Sequence, residues 1–541
     1  YAPTVFDEKT LTWRGGNNLP SIFDAKISIG KAALFVLNQN PDFVAQISDI
    51  SDVKKTNGEI RDSMLKIAVS LRKIGCSKGD VIGVLSGNTD QLAPAVFASL
   101  LLGAQVNPID PFSGKADVIH MFGVTLPKFI FCEDSKIPVL VEALESMKHK
   151  AHIIVLGNRV KGYHHVDDFL VDVGNLNGIV FPDVDAKTCA FILCSSGTTG
   201  MPKGVCLSHK TLLYYSAYGI MNSTEKPSSI FCFSSLYWVT GVLTLLMGTL
   251  LGHTRIITNK PYNQDLFYKI ITKYRPNILI VVSLHVSGIL NHPLVTKETM
   301  ASVRDMLFTG TTLPESTWLK IKEYLPNGEF YCAYGMTEVG WISQEPGNSA
   351  HISVGNIVAG AEMKILNEEG KKLGVGQQGE LCIRFENCFL GYYKNPEGTA
   401  AILDNDGWVH SGDTAYFDSE NLLHVIGRSK DILNYEHVHI APIELENLII
   451  LLPGVREAVV VGVPHPSFED FHLPAAVVIR QEGSSVTEKD IEEVIAKNLA
   501  DSKRLRGGVY FVDSLPVTPS GKIKKMDVRQ MATKMYKEMN P

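Results

Sequence analysis

Through its first four hundred residues the chain repeats one pattern: a short run of Val, Ile and Leu, a turn, then a stretch whose apolar residues recur at helical spacing. Val81 to Leu85 is followed by a helical stretch over Asp90 to Leu102, Phe129 to Cys132 precedes one over Pro138 to Met147, and Asp265 to Tyr274 leads into Ile278 to Val282. Runs this short and this uniformly apolar suit central strands, so the pattern predicts parallel α/β layers. From Glu362 to Arg384 the texture changes to alternating strands separated by Gly-rich turns, which predicts an antiparallel, barrel-like sheet. After Gly427-Arg428-Ser429-Lys430 a smaller block begins, with a helix over Ile443 to Leu451, strands over Glu457 to Val463 and Ala475 to Arg480, and a helix over Glu488 to Leu499. That block reads as a compact α+β unit. The expected organisation is a large α/β N-terminal domain over 1–427, a connector at 428–431 and a small C-terminal domain over 432–541.

The stretch from Pro227 to Thr254 contains no Asp, Glu, Lys or Arg, which raises the question of a membrane span. Gly241, Gly248 and Gly252 interrupt it and its continuous apolar part is too short, so a buried strand-loop-helix unit is expected instead. At 541 residues, 45% hydrophobic and 20% charged, the composition excludes intrinsic disorder and a small disulfide scaffold. A net charge of −6 supplies no global field for nucleic acid, so any phosphate binding has to be local. The nine cysteines contain no CxxC pair, which fits a reducing, intracellular setting, cytosolic or peroxisomal; Glu538 to Pro541 is not a peroxisomal tripeptide.

The loop Cys194-Ser195-Ser196-Gly197-Thr198-Thr199-Gly200-Met201-Pro202-Lys203-Gly204 follows the apolar strand Ala190 to Leu193. Hydroxyl donors, glycines that let backbone N–H groups approach closely, and the Lys203 cation together suit phosphate oxygens. It is not a Walker A loop, because no Gly immediately precedes its lysine and no Ser or Thr follows it. Other segments are ambiguous as bare residues. Thr337-Glu338 could equally begin a helix, Asp413 could be a turn residue after Gly412, and Lys522, with Lys524 and Lys525, could lie on a solvated face. Gly374 to Gly379 matches GxGxxG but leads into a strand, and His437-Val438-His439 lacks a third ligand at recognisable spacing; neither is taken as a site.

Taken together, these segments resemble the adenylate-forming superfamily of acyl-CoA synthetases, non-ribosomal adenylation domains and beetle luciferases, particularly insect luciferase-like fatty acyl-CoA synthetases and 4-coumarate-CoA ligase-like enzymes. After the phosphate loop come Tyr334-Gly335-Met336-Thr337-Glu338, similar to the family's adenine and magnesium motif, and Gly407 to Asp413, similar to its ribose motif. Gly427 to Asp431 resembles its hinge, Ala441 to Glu446 the start of its small domain, and Pro519-Ser520-Gly521-Lys522 its catalytic lysine loop.

The resemblance implies ATP, Mg²⁺ and CoA as cofactors or co-substrates and a small carboxylic acid, fatty or aryl, as substrate. It implies that Lys203 and the loop from Ser195 to Gly200 hold phosphates, that Glu338 binds the metal, and that Thr337 and Lys522 act at the transferring centre. Tyr334 would face adenine, and Asp413 and Arg428 the ribose. Tyr237 and Trp238 would line the acyl pocket, Gly310, Thr311, Gly335 and Met336 would line both that pocket and the ATP site, and Lys430 would be the hinge on which a mobile small domain turns. Three departures stand out. Asn434 and His437 replace a Lys and a Gly of many relatives beside the CoA path, Tyr237-Trp238 stands where luciferases carry His, and Ala333 replaces a Gly before Tyr334. The expected activity is an AMP-forming acid–thiol ligase. The alternatives are an adenylating enzyme weak in thioester formation, a luciferase-like monooxygenase, and a catalytically silent nucleotide- or acyl-binding protein.

Overall fold

The computed structural model describes the chain except at 1–2, 17–25, 173, 175–178, 196–201, 219–227, 311–312, 314, 346–352, 436–437, 467–470, 518–522 and 541, and except for the side chains of 217, 218, 316, 434, 438 and 439. Among the described residues, three sheets build the chain up to Arg428. The first has seven strands. Gln105–Ile109, Val81–Leu85, Phe129–Glu133 and His152–Leu156 run parallel, and Cys189–Ser195 joins parallel to Gln105–Ile109 before Lys203–Ser208 pairs with it antiparallel. The second has nine strands, with Ser228–Cys232, His253–Ile257, Ile278–Val281, Asp305–Phe308 and Glu329–Met336 parallel and Gly340–Gln344 folding back antiparallel. The third has six strands; it is antiparallel through Ala361–Leu366, Gly379–Phe385, Trp408–Phe417 and Leu423–Arg428, with Thr12–Arg14 beside the first of them.

The parallel-then-antiparallel layering expected from the apolar runs is therefore present. The helix Leu92–Leu101 is apolar all round and every one of its residues is buried, as a central helix must be. Val239–Leu250 is buried from Gly241 onward and spans only 12 residues, so the uncharged stretch from Ser228 is a strand, a turn and a largely buried helix. Among the described residues no helix is long and apolar enough to cross a membrane. One continuous core draws Ile82, Ile230, Met363 and Phe417 from all three sheets, which fixes the sheets against one another.

After Arg428 a short turn, Ser429–Asp431, leads into a unit with its own core. Strands Val455–Pro464 and His472–Arg480 pair antiparallel, Val509–Phe511 adds parallel, and helices Pro442–Ile449, Glu488–Asn498 and Lys525–Met539 accompany them. Among the described residues, its two apolar clusters, running from Leu433 to Tyr536, include none from earlier in the chain. Helix boundaries follow local chemistry. Pro442 opens its helix at a position where the missing N–H costs nothing, and Thr487 caps the next helix by accepting from Asp490 N–H.

Two core histidines are held neutral. His209 accepts the Ile29 N–H through Nδ1 at 3.2 Å, and burial pushes its pKa down to about 4; burial alone pushes His285 down to about 3. The unfolded chain takes up those protons near pH 6.5, before the folded chain does, so each depressed pKa stabilises the fold fully above that pH. Stability should then fall as pH drops toward about 4 for His209 and about 3 for His285, by about 1.4 kcal/mol per pH unit for each. Urea unfolding between pH ~7 and ~5 checks this, and His285→Phe should remove roughly half of the slope these two groups supply.

Candidate active site

The strand Glu329–Met336 leaves the nine-stranded sheet, turns at 337–339 and returns as Gly340–Gln344. The turn is tight. A Cβ on Gly335 would fall 2.2 Å from the Gly340 carbonyl oxygen, and Gly340 itself has φ +69 and leaves no room beside the Tyr215 ring. Thr337 and Glu338 therefore sit in a hairpin turn and do not begin a helix. Glu338 is buried, and its Oε1 accepts the Tyr392 hydroxyl at 2.8 Å.

Tyr392 reaches Glu338 because its segment is laced to the head of the Lys203–Ser208 strand. Tyr393 N–H donates to the Gly204 carbonyl at 2.7 Å, Leu390 N–H to Cys206 at 2.8 Å, and Cys206 N–H to Gly391 at 3.0 Å. Phe389 N–H also donates to the Glu338 carbonyl at 2.7 Å, which locks this segment to the hairpin turn. Lys203 Nζ then stands 4.8 Å from the centre of the Tyr392 ring, a cation against its π face. Burial, reinforced by the Glu338 carboxylate, pushes the Tyr392 pKa far up, so the phenol keeps its proton and donates; a hydrogen bond with Ser195 acts the other way. Ser195, Lys203, Tyr392 and Glu338 form one end of a site.

The other end is built on an irregularity between strands. Glu380 lies opposite Thr414, whereas Cys382 lies opposite His410, so Ser411, Gly412 and Asp413 bulge out opposite Leu381. Ser411 Oγ donates to the Leu381 carbonyl at 2.6 Å and accepts the Asp413 N–H at 3.0 Å, and Gly412 supplies φ +67. The bulge presents Asp413 directly across from Arg428, its partner on the next strand. Arg428 Nε meets Asp413 Oδ1 at 2.9 Å and its NH1 donates to the Ser411 carbonyl at 2.8 Å, while the Tyr334 hydroxyl donates to Asp413 Oδ2. Burial, followed by the Asp413 carboxylate, pushes the Tyr334 pKa well up, which keeps that phenol a donor. Tyr334 and Glu338, four residues apart on one hairpin, join the two ends.

Tyr237 and Trp238 meet edge to face at 4.9 Å just before the buried helix Val239–Leu250. Tyr237 packs on the cluster containing Cys194, the residue just before Ser195, and burial pushes its pKa up. Gly310 has φ +99, and among the described residues nothing lies closer than Val282 Cγ1 at 3.8 Å from the point where its Cβ would be. Gly335 is exposed beside Tyr334 and Met336, both half-buried against the main core. Lys430 stands exposed in the turn after Arg428. Ser196, Gly197, Thr198, Thr199, Gly200, Thr311, His437 and Lys522 lie outside the described residues, as does the Asn434 side chain. Near Lys522, Val517 and Ile523 form an isolated bridge, and Lys524 lies close enough to Asp110 to oppose the upward push of burial on that carboxyl.

Tyr392 has no mark in the sequence. It is 54 residues from Glu338 and 189 from Lys203, beyond any motif spacing, and only the packing of its segment brings it in. The donor set fits the groups that an AMP-forming reaction implies. A carboxylate has about four lone-pair sites, so Asp413 can hold Arg428 and Tyr334 and still accept ribose hydroxyls, and Glu338 can hold Tyr392 and still meet a hard divalent cation.

The chain shares 27% identity over 500 residues, 90% of each chain, with the luciferin 4-monooxygenase of Photinus pyralis. It shares 29% over 488 residues, 88% of this chain and 86% of the relative, with 4-coumarate–CoA ligase 3 of Oryza sativa subsp. japonica. The ATP-bound structure of MatB from Rhodopseudomonas palustris has the same fold, with a TM-score of 0.84 at 23% identity over 94% of this chain and 100% of that one. The AMP-binding enzyme pattern matches residues 35–393, and the AMP-binding enzyme C-terminal domain follows at 444–522. With two thirds of its length in the first pattern and the second in its expected place, the chain belongs to the AMP-binding family of adenylate-forming enzymes.

Proposed function

We propose that the protein is an ATP-dependent acid–thiol ligase: it joins a fatty or aryl carboxylic acid to AMP with release of pyrophosphate, then passes the acyl group to CoA. The observation that carries this reading is the two-ended site, with Lys203 and Glu338 at one end and Asp413 and Arg428 at the other, joined by the Tyr334 hairpin. In the first step a carboxylate oxygen attacks the α-phosphorus and the bond to the β-phosphate bridging oxygen breaks. The reactants are anions, so the site needs cations and donors more than it needs a base. Asp413 and Arg428 hold the ribose, Tyr334 lies against the base, and Lys203 with the Ser195 to Gly200 loop steadies the departing pyrophosphate. Glu338 would hold Mg²⁺, which supplies charge neutralisation on the phosphates. Thr337 and Lys522 donate to the α-phosphate as its charge develops.

In the second step the CoA sulfur attacks the acyl carbon and AMP leaves. Lys430, in the exposed turn between the two cores, is the pivot on which the small domain exchanges the Lys522 loop for a face that admits the thiol. Tyr237, Trp238, Gly310, Thr311, Gly335 and Met336 line the acyl pocket in this reading. The Trp238 plane offers one N–H donor and no base, which favours acyl or aryl transfer over oxygenation.

Single-turnover formation of acyl-AMP should fall by on the order of 10²–10³ in Lys522→Ala. An unchanged rate would remove Lys522 from the mechanism. AMP release across a panel of fatty and aryl acids should rise when CoA is added. Adenylation that CoA leaves unaffected would instead point to a thiol path closed by Asn434 and His437, and a gain of CoA dependence in His437→Gly would locate the closure.

A further inference from the structure

On the outer face of the six-stranded sheet, away from the core, three ligand types used for transition metals converge. Glu380 and Cys382 sit two apart on the strand Gly379–Phe385 and so share a face, while their neighbours Leu381 and Ile383 turn into the main core. His410 lies directly across from Cys382 on the strand Trp408–Phe417. Its Nδ1 is 2.9 Å from Glu380 Oε2 and 3.5 Å from Cys382 Sγ, and all three ligand atoms lie within 4.8 Å of one another. The bulge that displaces Asp413 also sets this register, since without it Glu380 and Cys382 would face different partners.

We propose that Glu380, Cys382 and His410 form a binding site for a borderline-soft divalent cation of the zinc type. A thiolate, an imidazole and a carboxylate select such an ion over Mg²⁺ or Ca²⁺, which take oxygen ligands. Bonds of about 2.0 to 2.3 Å at tetrahedral angles place neighbouring ligand atoms about 3.3 to 3.8 Å apart. The sulfur–nitrogen separation already falls in that range. The Glu380 oxygen has to retreat by about half an ångström, which a one-third exposed side chain can do by a small torsion.

The surroundings match what a metal-bound histidine requires. His410 Nε2 faces Asp404 Oδ2 at 3.7 Å, beyond hydrogen-bond length but close enough that a small shift of the ring on binding an ion would give its second nitrogen a carboxylate acceptor. Asp404 is itself fixed through Oδ1, which accepts the Trp408 N–H at 2.8 Å and the Asp406 N–H at 3.0 Å. Cys382 is fully buried beneath Leu366 and Trp408, whereas Glu380 and His410 are about one-third exposed, so an ion can enter from solvent and keep a water as fourth ligand. With Lys364 Nζ 3.9 Å from Asp404, the two carboxylates and the thiolate balance the charge of the cation and the ammonium.

The test uses the full chain, freed of metal and titrated with Co²⁺ in excess Mg²⁺, so that the hard-ion position at Glu338 does not compete. One equivalent of Co²⁺ should give thiolate-to-cobalt charge-transfer absorption that Zn²⁺ displaces, and the band should be absent in Cys382→Ala, with circular dichroism confirming the fold. Asp404→Asn removes no proposed ligand and should keep the band while weakening Co²⁺ binding roughly 10- to 100-fold; it decides the matter if Cys382→Ala does not fold. No charge-transfer band in the wild-type protein, or a band and affinity untouched by these substitutions, would overturn the proposal.

Discussion

A buried carboxylate organises this molecule. Asp413 is only 5% exposed, and an anion so far from water persists only where donors surround it. It has one from each of two neighbouring structures: the Arg428 guanidinium from the last strand of the six-stranded sheet and the Tyr334 hydroxyl from the hairpin that leaves the nine-stranded sheet. Both are obligatory donors, Arg428 because its guanidinium does not deprotonate and Tyr334 because burial keeps its proton in place. The requirement to satisfy Asp413 thus ties two sheets together at the point where the chain passes to the small unit beginning at Leu433. The bulge at Ser411 to Asp413 is the backbone irregularity that makes this possible.

Glu338 repeats the logic at the other end. It is buried to the same degree, takes the Tyr392 hydroxyl, and receives Phe389 through its own carbonyl. The segment carrying Tyr392 is zipped to the strand that starts with Lys203, so the Lys203 ammonium, the phenol and the carboxylate are positioned as a set. Because Tyr334 and Glu338 share a hairpin whose shape is dictated by Gly335 and Gly340, the two anionic centres are held at a fixed span. A rigid span with an anion at each end and a cation beside each suits one elongated polyanionic ligand with a diol at one end and a metal-bound phosphate at the other.

Much of the fold was legible in the sequence because short, uniformly apolar runs such as Val81 to Leu85 have few ways to be buried. The core of the small unit was legible for the same reason. That Lys203, Glu338, Asp413 and Arg428 are candidate site residues could be read from the order of the motifs that carry them. Their local geometry could not. Thr337-Glu338 is compatible with either a helix start or a turn until Gly340 is seen against Tyr215, and Asp413 sits in a bulge whose register depends on a partner strand about thirty residues away. Tyr392 and the Glu380, Cys382 and His410 cluster were invisible because cross-strand and cross-sheet neighbours leave no fixed spacing in the chain.

If this span holds ATP while a carboxylate is activated on its α-phosphate, carboxylate-dependent exchange of labelled pyrophosphate into ATP measures that step alone. Exchange is expected with at least one fatty or aryl acid in the presence of Mg²⁺, and it should be lost when Asp413 is replaced by Asn. Binding of ATP without exchange for any acid across a broad panel would contradict this reading and leave a nucleotide-binding protein without the chemistry.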